Sequence, residues 1–419
     1  MDSAERNERR NRLPILALIA GAGVSTVGSL MTLIAVPWFV LQTTGSAAKT
    51  GVTTAVWVLP VILSGVLAGP IVDRVGHKRS GVLGDLGAGL CVALVPTLHH
   101  TVGLAFGSLL AIVFVRGLFD FPGRTGRRSL VPQLAELAAM PLERANAAFA
   151  TVRNLALLLG PAAAGVLIAR FSSSNVMLID AATYAFSAAM TGLFVPAAAP
   201  ADAPVIDDRY RDRLLAGFRF VRQDRVLLTL LMFTTVNTCL TSPLFDVELP
   251  VYARRIFGSA VALGLMSAGY GAGTLASSFL YAGFGDRFPR RMVLIGYALL
   301  TAVPLAVLVL APPLPVCVLA IGLAGFAAGP VGPLYQTVVQ ERVRPELRGR
   351  VFGLSGVTFA AMPLGVLGAG FLIQGLGIVD AMALQFTTVL LGAFVLWLLP
   401  ALRSLDAAAE VEKVVPAGR

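Results

Sequence analysis

Charge is what this sequence has least of. Only 13% of its 419 residues are Asp, Glu, Lys or Arg, where a soluble domain carries about a quarter. Hydrophobic residues make up 56%, and mean hydropathy is +0.80. A chain so poor in charge cannot cover its surface with polar groups, which excludes a water-soluble globule and leaves an integral membrane protein. Cysteine is nearly absent. Cys91, Cys239 and Cys317 each sit inside an apolar run, without metal-ligand spacing or a disulfide pattern, and read as small packing residues. Histidine is as rare, and the adjacent His99 and His100 are too few and too local to argue for a metal. No G-x-x-x-x-G-K-[ST] loop is present, so the sequence offers no nucleotide-binding loop of that kind. No metal or cofactor is expected.

What the chain does have is long apolar runs. A membrane span needs about 20 mostly apolar residues, and breaks at charge clusters and Gly/Pro give twelve. The first six cover roughly 14–41, 50–72, 80–98, 102–122, 143–169 and 176–196. The last six cover roughly 226–253, 260–284, 291–311, 314–340, 350–376 and 380–401. The expected fold is all-α and integral to the membrane, with twelve transmembrane helices in two pseudo-symmetric six-helix bundles. Its parts are an N-terminal segment 1–13, a first bundle 14–196, a central loop 197–225, a second bundle 226–401 and a tail 402–419. The charged start "MDSAERNERRNRLP" precedes an apolar run too long for a signal-peptide core, so span one is expected to stay in the membrane.

The net charge of +10 is no sign of nucleic acid, because 27 of the 33 Lys and Arg residues fall in one alternating set of segments outside the spans. The opposite loops hold only Lys49, Arg170, Arg254 and Arg255. This bias sets orientation and places both termini in the cytoplasm. In the central loop, Leu214, Phe218 and Val221 stand at helical spacing among arginines. They fit either an amphipathic helix on the inner membrane surface or an early start to span seven.

The stretch "AGPIVDRVGHKRSG" between spans two and three packs Gly69, Asp73, Arg74, Gly76, Lys78 and Arg79 into a short gap. Glycines permit a tight turn and close backbone approach. The basic residues act as positive-inside signals, which leaves Asp73 without a topological reason. An echo follows span eight, where Asp286, Arg287, Arg290 and Arg291 lie in "GDRFPRRM". A second echo pairs "PLERANAAF" before span five with "PELRGRVFG" before span eleven. Matching loops imply a duplicated bundle, and in such transporters substrate sites lie near the midplane.

Twelve spans, a long central loop and G-x-x-x-D-R-x-G-x-K-R between spans two and three resemble the major facilitator superfamily along essentially the whole chain. Gly69, Asp73, Arg74, Gly76, Lys78 and Arg79 resemble that family's motif A, with His77 where the family usually has Arg. The stretches "AVPWFVLQTTGSAAKTG", "RRSLVPQL", "ANAAFATVRNLALLLGPAAAG" and "LRGRVFG" resemble its branch of enterobactin-type and macrolide-type exporters. Gly160, Pro161 and Gly165 resemble the antiporter motif of span five, with Ala156 and Ala164 replacing two of its glycines. The resemblance implies a proton-coupled antiporter in a bacterial-type inner membrane, acting as a monomer on an organic, partly apolar small molecule by alternating access. An uptake permease of the same fold is the alternative. An integral membrane enzyme or sensor is remote, since the short loops and tail carry no catalytic constellation. The resemblance also implies that Asp73 latches the gate by contacting the start of span eleven, near Gly349 to Phe352.

Ionisable residues within spans are functional hypotheses by default. Arg153 lies about 15 Å into span five, near the midplane, where it serves either an ion pair or a substrate. Its neighbour Asn154 bonds between helices or binds substrate. In span seven, Asp246 and Glu248 lie between Pro243 and Pro250, which break the helix ladder and favour a wetted segment. Two-residue spacing turns only one of them toward a cavity, and Asp246 is the preferred proton carrier. Arg116 and Asp120, an i, i+4 pair in span four, either neutralise each other or take part in proton coupling. Asp85 is assigned to the cytoplasmic gate network, and Asp180 and Asp380 to solvated helix ends. Softer cavity candidates are Asn237, Ser25, Ser29, Trp57, Tyr270 and Tyr335.

Overall fold

The computed structural model describes residues 3–196, 219, 221–343 and 345–398, with side chains described outside 3–11, 65–67, 225, 286, 345–357 and 396. Among the described residues every regular element is helical. That is the form an apolar chain must take in lipid, where each backbone N–H and C=O has to be satisfied within its own segment. Spans one to six are the helices Ser3–Thr44, Ala47–Val75, His77–Thr101, Phe106–Ser129, Leu142–Phe171 and Ser173–Phe194. Span seven runs from Arg225 to Phe257 in four pieces, described below. Spans eight and nine are Ala260–Phe284 and Arg290–Val309, and span ten is Leu314–Ala328 continued by Val331–Arg342. Spans eleven and twelve are Pro345–Leu376 and Ile378–Leu398.

Eleven of these stretches are long and apolar enough to cross a bilayer. The twelfth, span eight, has the length at 25 residues, but glycine and serine dilute its hydropathy. Those small residues serve packing instead. A Cβ on Gly269 would lie 2.9 Å from the Val318 carbonyl oxygen, so span eight presses backbone to backbone on span ten.

Packing divides the chain into two units. One comprises Met1–Gly45, Thr53–Asp207 and Ser259–Gly264, the other Ser46–Val52, Asp208–Gly258 and Leu265–Arg419. In the first, span one packs on spans five and six, and span three on spans four and six. In the second, span seven packs on span eleven, and span nine on spans ten and twelve. Three of these pairings correspond when span numbers shift by six. The duplication is visible at single residues too. Gly45-Ser46-Ala47 and Gly258-Ser259-Ala260 are separated by the same 213 positions as Asp73-Arg74 and Asp286-Arg287. Both glycines end a helix with positive φ, 67° and 62°, the left-handed closure that favours glycine.

The gap between spans two and three is shorter than the sequence implied. Span two continues to Val75 and span three begins at His77, leaving Gly76 alone as the link. Its φ of 90° and ψ of 144° are essentially closed to residues with a side chain. Asp73 and Arg74 therefore form the last turn of span two, and Lys78 and Arg79 the first turn of span three. Asp73 sits at a helix C-terminus, not at the N-terminus where an acid is favoured. Nothing described approaches Gly69, so the close approach expected there is not seen among the described residues.

In the central loop, Leu214 and Phe218 lie outside the described residues. Val221 is buried in the second unit's core with Val226, Leu230 and Val339. Asp224 starts span seven by accepting hydrogen bonds from the backbone N–H groups of Val226 (2.8 Å) and Leu227 (3.2 Å), a regular N-cap.

Candidate functional site

The first unit holds a buried polar cluster contributed by spans one, two, four and six. Tyr184 of span six is its hub. Arg116 Nη2 donates to the Tyr184 hydroxyl at 2.8 Å, and that hydroxyl donates to Asp120 Oδ1 at 3.1 Å. The Ser29 hydroxyl lies 2.9 Å from the Tyr184 oxygen and donates to the Ser25 carbonyl. Arg124 Nε donates to Asp120 Oδ1 at 2.9 Å. The Arg116 guanidinium stacks over the Trp57 ring at 4.1 Å from its centroid, a cation–π contact strengthened by its burial. Arg116 and Asp120 do pair, at 3.9 Å, but their mutual neutralisation is the weakest link. Tyr184 and Arg124 complete it. Ser25 and Ser29, expected as cavity residues, are buried between helices.

Asp180 departs from its expected place. It is not solvated but 0% exposed. Thr32 Oγ1 donates to its Oδ2 at 2.5 Å, and Thr183 Oγ1 lies 3.1 Å from Oδ1. The partner on span one is 148 residues away in sequence. Helix docking, not a local signal, made this contact.

Toward the motif A end of the same unit, Asp85 of span three forms a buried ion pair with Arg127 of span four. In the second unit the matching spans nine and ten are joined with the charges exchanged. Arg290 grips Glu341 through Nη1 and Nη2 at 2.5 and 2.7 Å. Arg291 donates to the Trp397 carbonyl, and Arg287 lies over Phe284. The side chain of Asp286 is outside the described residues, as are those of Gly349 to Phe352, the expected counterpart of Asp73. Among the described residues Asp73 is half-buried with no ion pair.

In span five Arg153 is exposed, with Asn154 half-buried beside it. Gly160, Pro161 and Gly165 are buried. A Cβ on Gly160 would lie 2.8 Å from the Cβ of Leu30, and one on Gly165 would lie 2.9 Å from Gly264 Cα in the Ser259–Gly264 segment of the same unit. The antiporter-like motif is thus a surface for close helix contact.

Span seven carries the second site. The α-helix Arg225–Pro243 passes into a π-helical turn Leu244–Glu248, one α turn Leu249–Tyr252 and a second π turn Ala253–Phe257. Pro250 has no N–H to give the Asp246 carbonyl. The chain keeps its ladder by widening, and the Leu249 N–H bonds to the Leu244 carbonyl five residues back. The prolines therefore loosen the helix without breaking it. Asp246 is half-buried and Glu248 is 1% exposed. One oxygen of Glu248 has no hydrogen-bond partner among the described residues, and no ion pair reaches it. Phe245 packs against Tyr270 with the rings tilted at 56° and centroids 4.4 Å apart. Two turns earlier, Asn237 Nδ2 donates to the Tyr297 hydroxyl at 2.8 Å. Asn237 also lines a cavity of about 440 Å³ among spans seven, nine and twelve, walled by apolar side chains such as Met232, Phe233, Leu240 and Val389. That volume falls in the range of small-molecule sites. Tyr335 packs instead against the core that contains Val221.

Residues 14–417 match the family described as transmembrane secretion effectors. The chain belongs to this family. The match places it in the major facilitator superfamily, as an efflux-type, multi-pass membrane transporter and not an enzyme. It is 31% identical over 405 residues to the multidrug efflux pump Tap of Mycolicibacterium fortuitum, covering 95% of this chain and 98% of that one. It is 22% identical over 404 residues to macrolide efflux protein A of Streptococcus pyogenes, covering 94% and 98%. Among solved structures, the nucleoside transporter NupG matches with a TM-score of 0.71 at 13% identity, over 92% of this chain and 98% of that one. That likeness concerns the fold.

Proposed function

We propose that this transporter is a proton-coupled antiporter, exporting organic, partly apolar small molecules from a bacterial cytoplasm by alternating access. It works as a monomer in the inner membrane, with both termini inside. The names of its relatives, multidrug and macrolide efflux proteins, support the class of cargo. The apolar cavity with a single amide, Asn237, suits a compound that is mostly hydrophobic with few polar groups. Motif A, with Asp73 as its acid, serves the gate.

Glu248 carries the proton-coupling part of this reading. A carboxylate buried in a membrane span without a cation is costly to keep charged and marks a proton or ion path. Its widened, π-helical setting is one that recurs at functional sites. Half-buried Asp246, two residues away and so on another side of the helix, is the less enclosed of the two carboxylates. Asp120 is a poorer carrier, because Arg124 and Arg116 both hold its charge.

The test is transport into inverted vesicles with a macrolide, ethidium and tetracycline as probes. Acidifying the vesicle interior should drive accumulation of at least one, and collapsing the gradient should stop it. Accumulation of a probe that ignores the gradient would refute proton coupling.

A further inference from the structure

Among the described residues the first unit contains three buried carboxylates, and they are not held alike. Asp85 is paired with Arg127, and Asp120 with Arg116 and Arg124. Asp180 has hydroxyls alone, from Thr32 and Thr183. The niche around it is specific. A Cβ on Gly28 would collide with Asp180 Oδ1 and Thr183 Oγ1, so span one leaves room for this carboxyl. Thr32 is also exceptional within span one. Thr26, Thr43 and Thr44 each donate to the carbonyl four residues back, whereas Thr32 donates to Asp180. A hydroxyl can donate to an ionised carboxylate or accept from a protonated one. The niche therefore fits both states of the acid.

Charge balance gives those states different consequences. Asp120 accepts from Arg124 at 2.9 Å and lies 3.9 Å from Arg116, so the two guanidinium groups share one carboxylate. A protonated Asp180 leaves Arg116 and Arg124 with Asp120 alone, and an ionised Asp180 adds a second buried negative charge. The nearest cation to relieve it is Arg116, whose Nε has no partner. Tyr184, one helical turn along from Asp180, already holds this guanidinium. The groups facing Asp180 are the Thr32 hydroxyl from span one and the charges of Arg116 and Asp120 from span four, while Ser29 of span one meets Tyr184. Its own span adds Thr183 and Tyr184, and span three brings Cys91 near Arg116.

We infer that Asp180 is a second proton-binding carboxylate, and that its proton decides whether Arg116 stays between Tyr184 and Asp120 or is drawn to Asp180 itself. Protonated, it leaves Arg116 between Tyr184, Asp120 and Trp57. Deprotonated, it pulls the guanidinium toward itself and away from the Trp57 ring. This deepens the antiport reading and rests on it for its role in transport, but the switch itself needs no substrate to be seen.

Trp57 is the built-in reporter. In full-length protein carrying Trp38→Phe and Trp397→Phe, its emission should titrate with pH in one step. If that background does not fold, the difference between the parent and Trp57→Phe gives the same signal. Asp180→Asn should abolish the titration, and Asp120→Asn should leave one. Thr32→Val, which removes the hydroxyl at equal size, should move the midpoint by about one pH unit. A titration that survives Asp180→Asn, a midpoint that ignores Thr32→Val, or a parent that does not titrate would overturn the proposal. A parent that titrates at Trp57 yet transports no probe in response to a pH gradient would sink the antiport reading alone.

Discussion

Removing Arg127 should destabilise the first unit more than removing both Arg127 and its partner. Asp85 is 1% exposed and Arg127 5%, so the pair joins spans three and four out of contact with water. Arg127→Ala leaves a buried carboxylate with its cation gone, a change that costs about 3–5 kcal/mol in comparable buried pairs. One oxygen of Asp85 is already without a hydrogen bond, so little remains to absorb the charge. Asp85→Asn with Arg127→Gln removes both charges at similar volume. Since a neutral replacement of a buried pair is often close to isoenergetic, the double variant should recover most of the loss. Unfolding can be followed in detergent through the buried Cys91 and Cys317 and the half-buried Cys239, with a thiol-reactive dye that labels them as the helices separate. The expected order of stability is parent, double variant, then Arg127→Ala. Additive losses in the double variant, or an Arg127→Ala protein as stable as the parent, would refute the assignment of a buried, interdependent pair.

Four further outcomes follow from the same geometry. Gly76→Ala should cost about 1–3 kcal/mol, because its dihedral angles belong to glycine, and lower the yield of folded protein; an unchanged yield and unfolding temperature would count against the single-residue link. Glu248→Gln should abolish pH-driven accumulation in inverted vesicles while counterflow exchange of the same probe persists, and Asp246→Asn should slow both modestly; coupling that survives Glu248→Gln would remove this residue as carrier. Asn237→Ala should weaken binding of at least one polar-tipped probe by about 1 kcal/mol, roughly fivefold, with apolar probes unaffected in equilibrium binding. Asp73→Asn should slow transport without lowering folded yield, and normal transport would end its gating role.

Much of this protein was legible in the chain. The scarcity of charge and the spacing of apolar runs determine a helical membrane bundle, since lipid admits few other backbone solutions. The repeat of Asp73-Arg74 at Asp286-Arg287 announces the duplication, and Gly76 announces a tight link, although sequence overstated its length because charged residues continue the helices on either side. Local rules also found Arg116 with Asp120, since four residues on a helix lie on one face.

Tertiary structure decided what no local rule reaches. Asp180 reads as a solvated helix end until span one supplies Thr32 and the niche at Gly28. Tyr184 attracts no notice in sequence, yet it joins spans one, four and six. The π turns of span seven change its register, so spacing alone could not rank Glu248 against Asp246. The physical reason is common to all three. Periodicity fixes which residues share a helix face, but the charge state and partner of a buried group depend on which other helix that face meets.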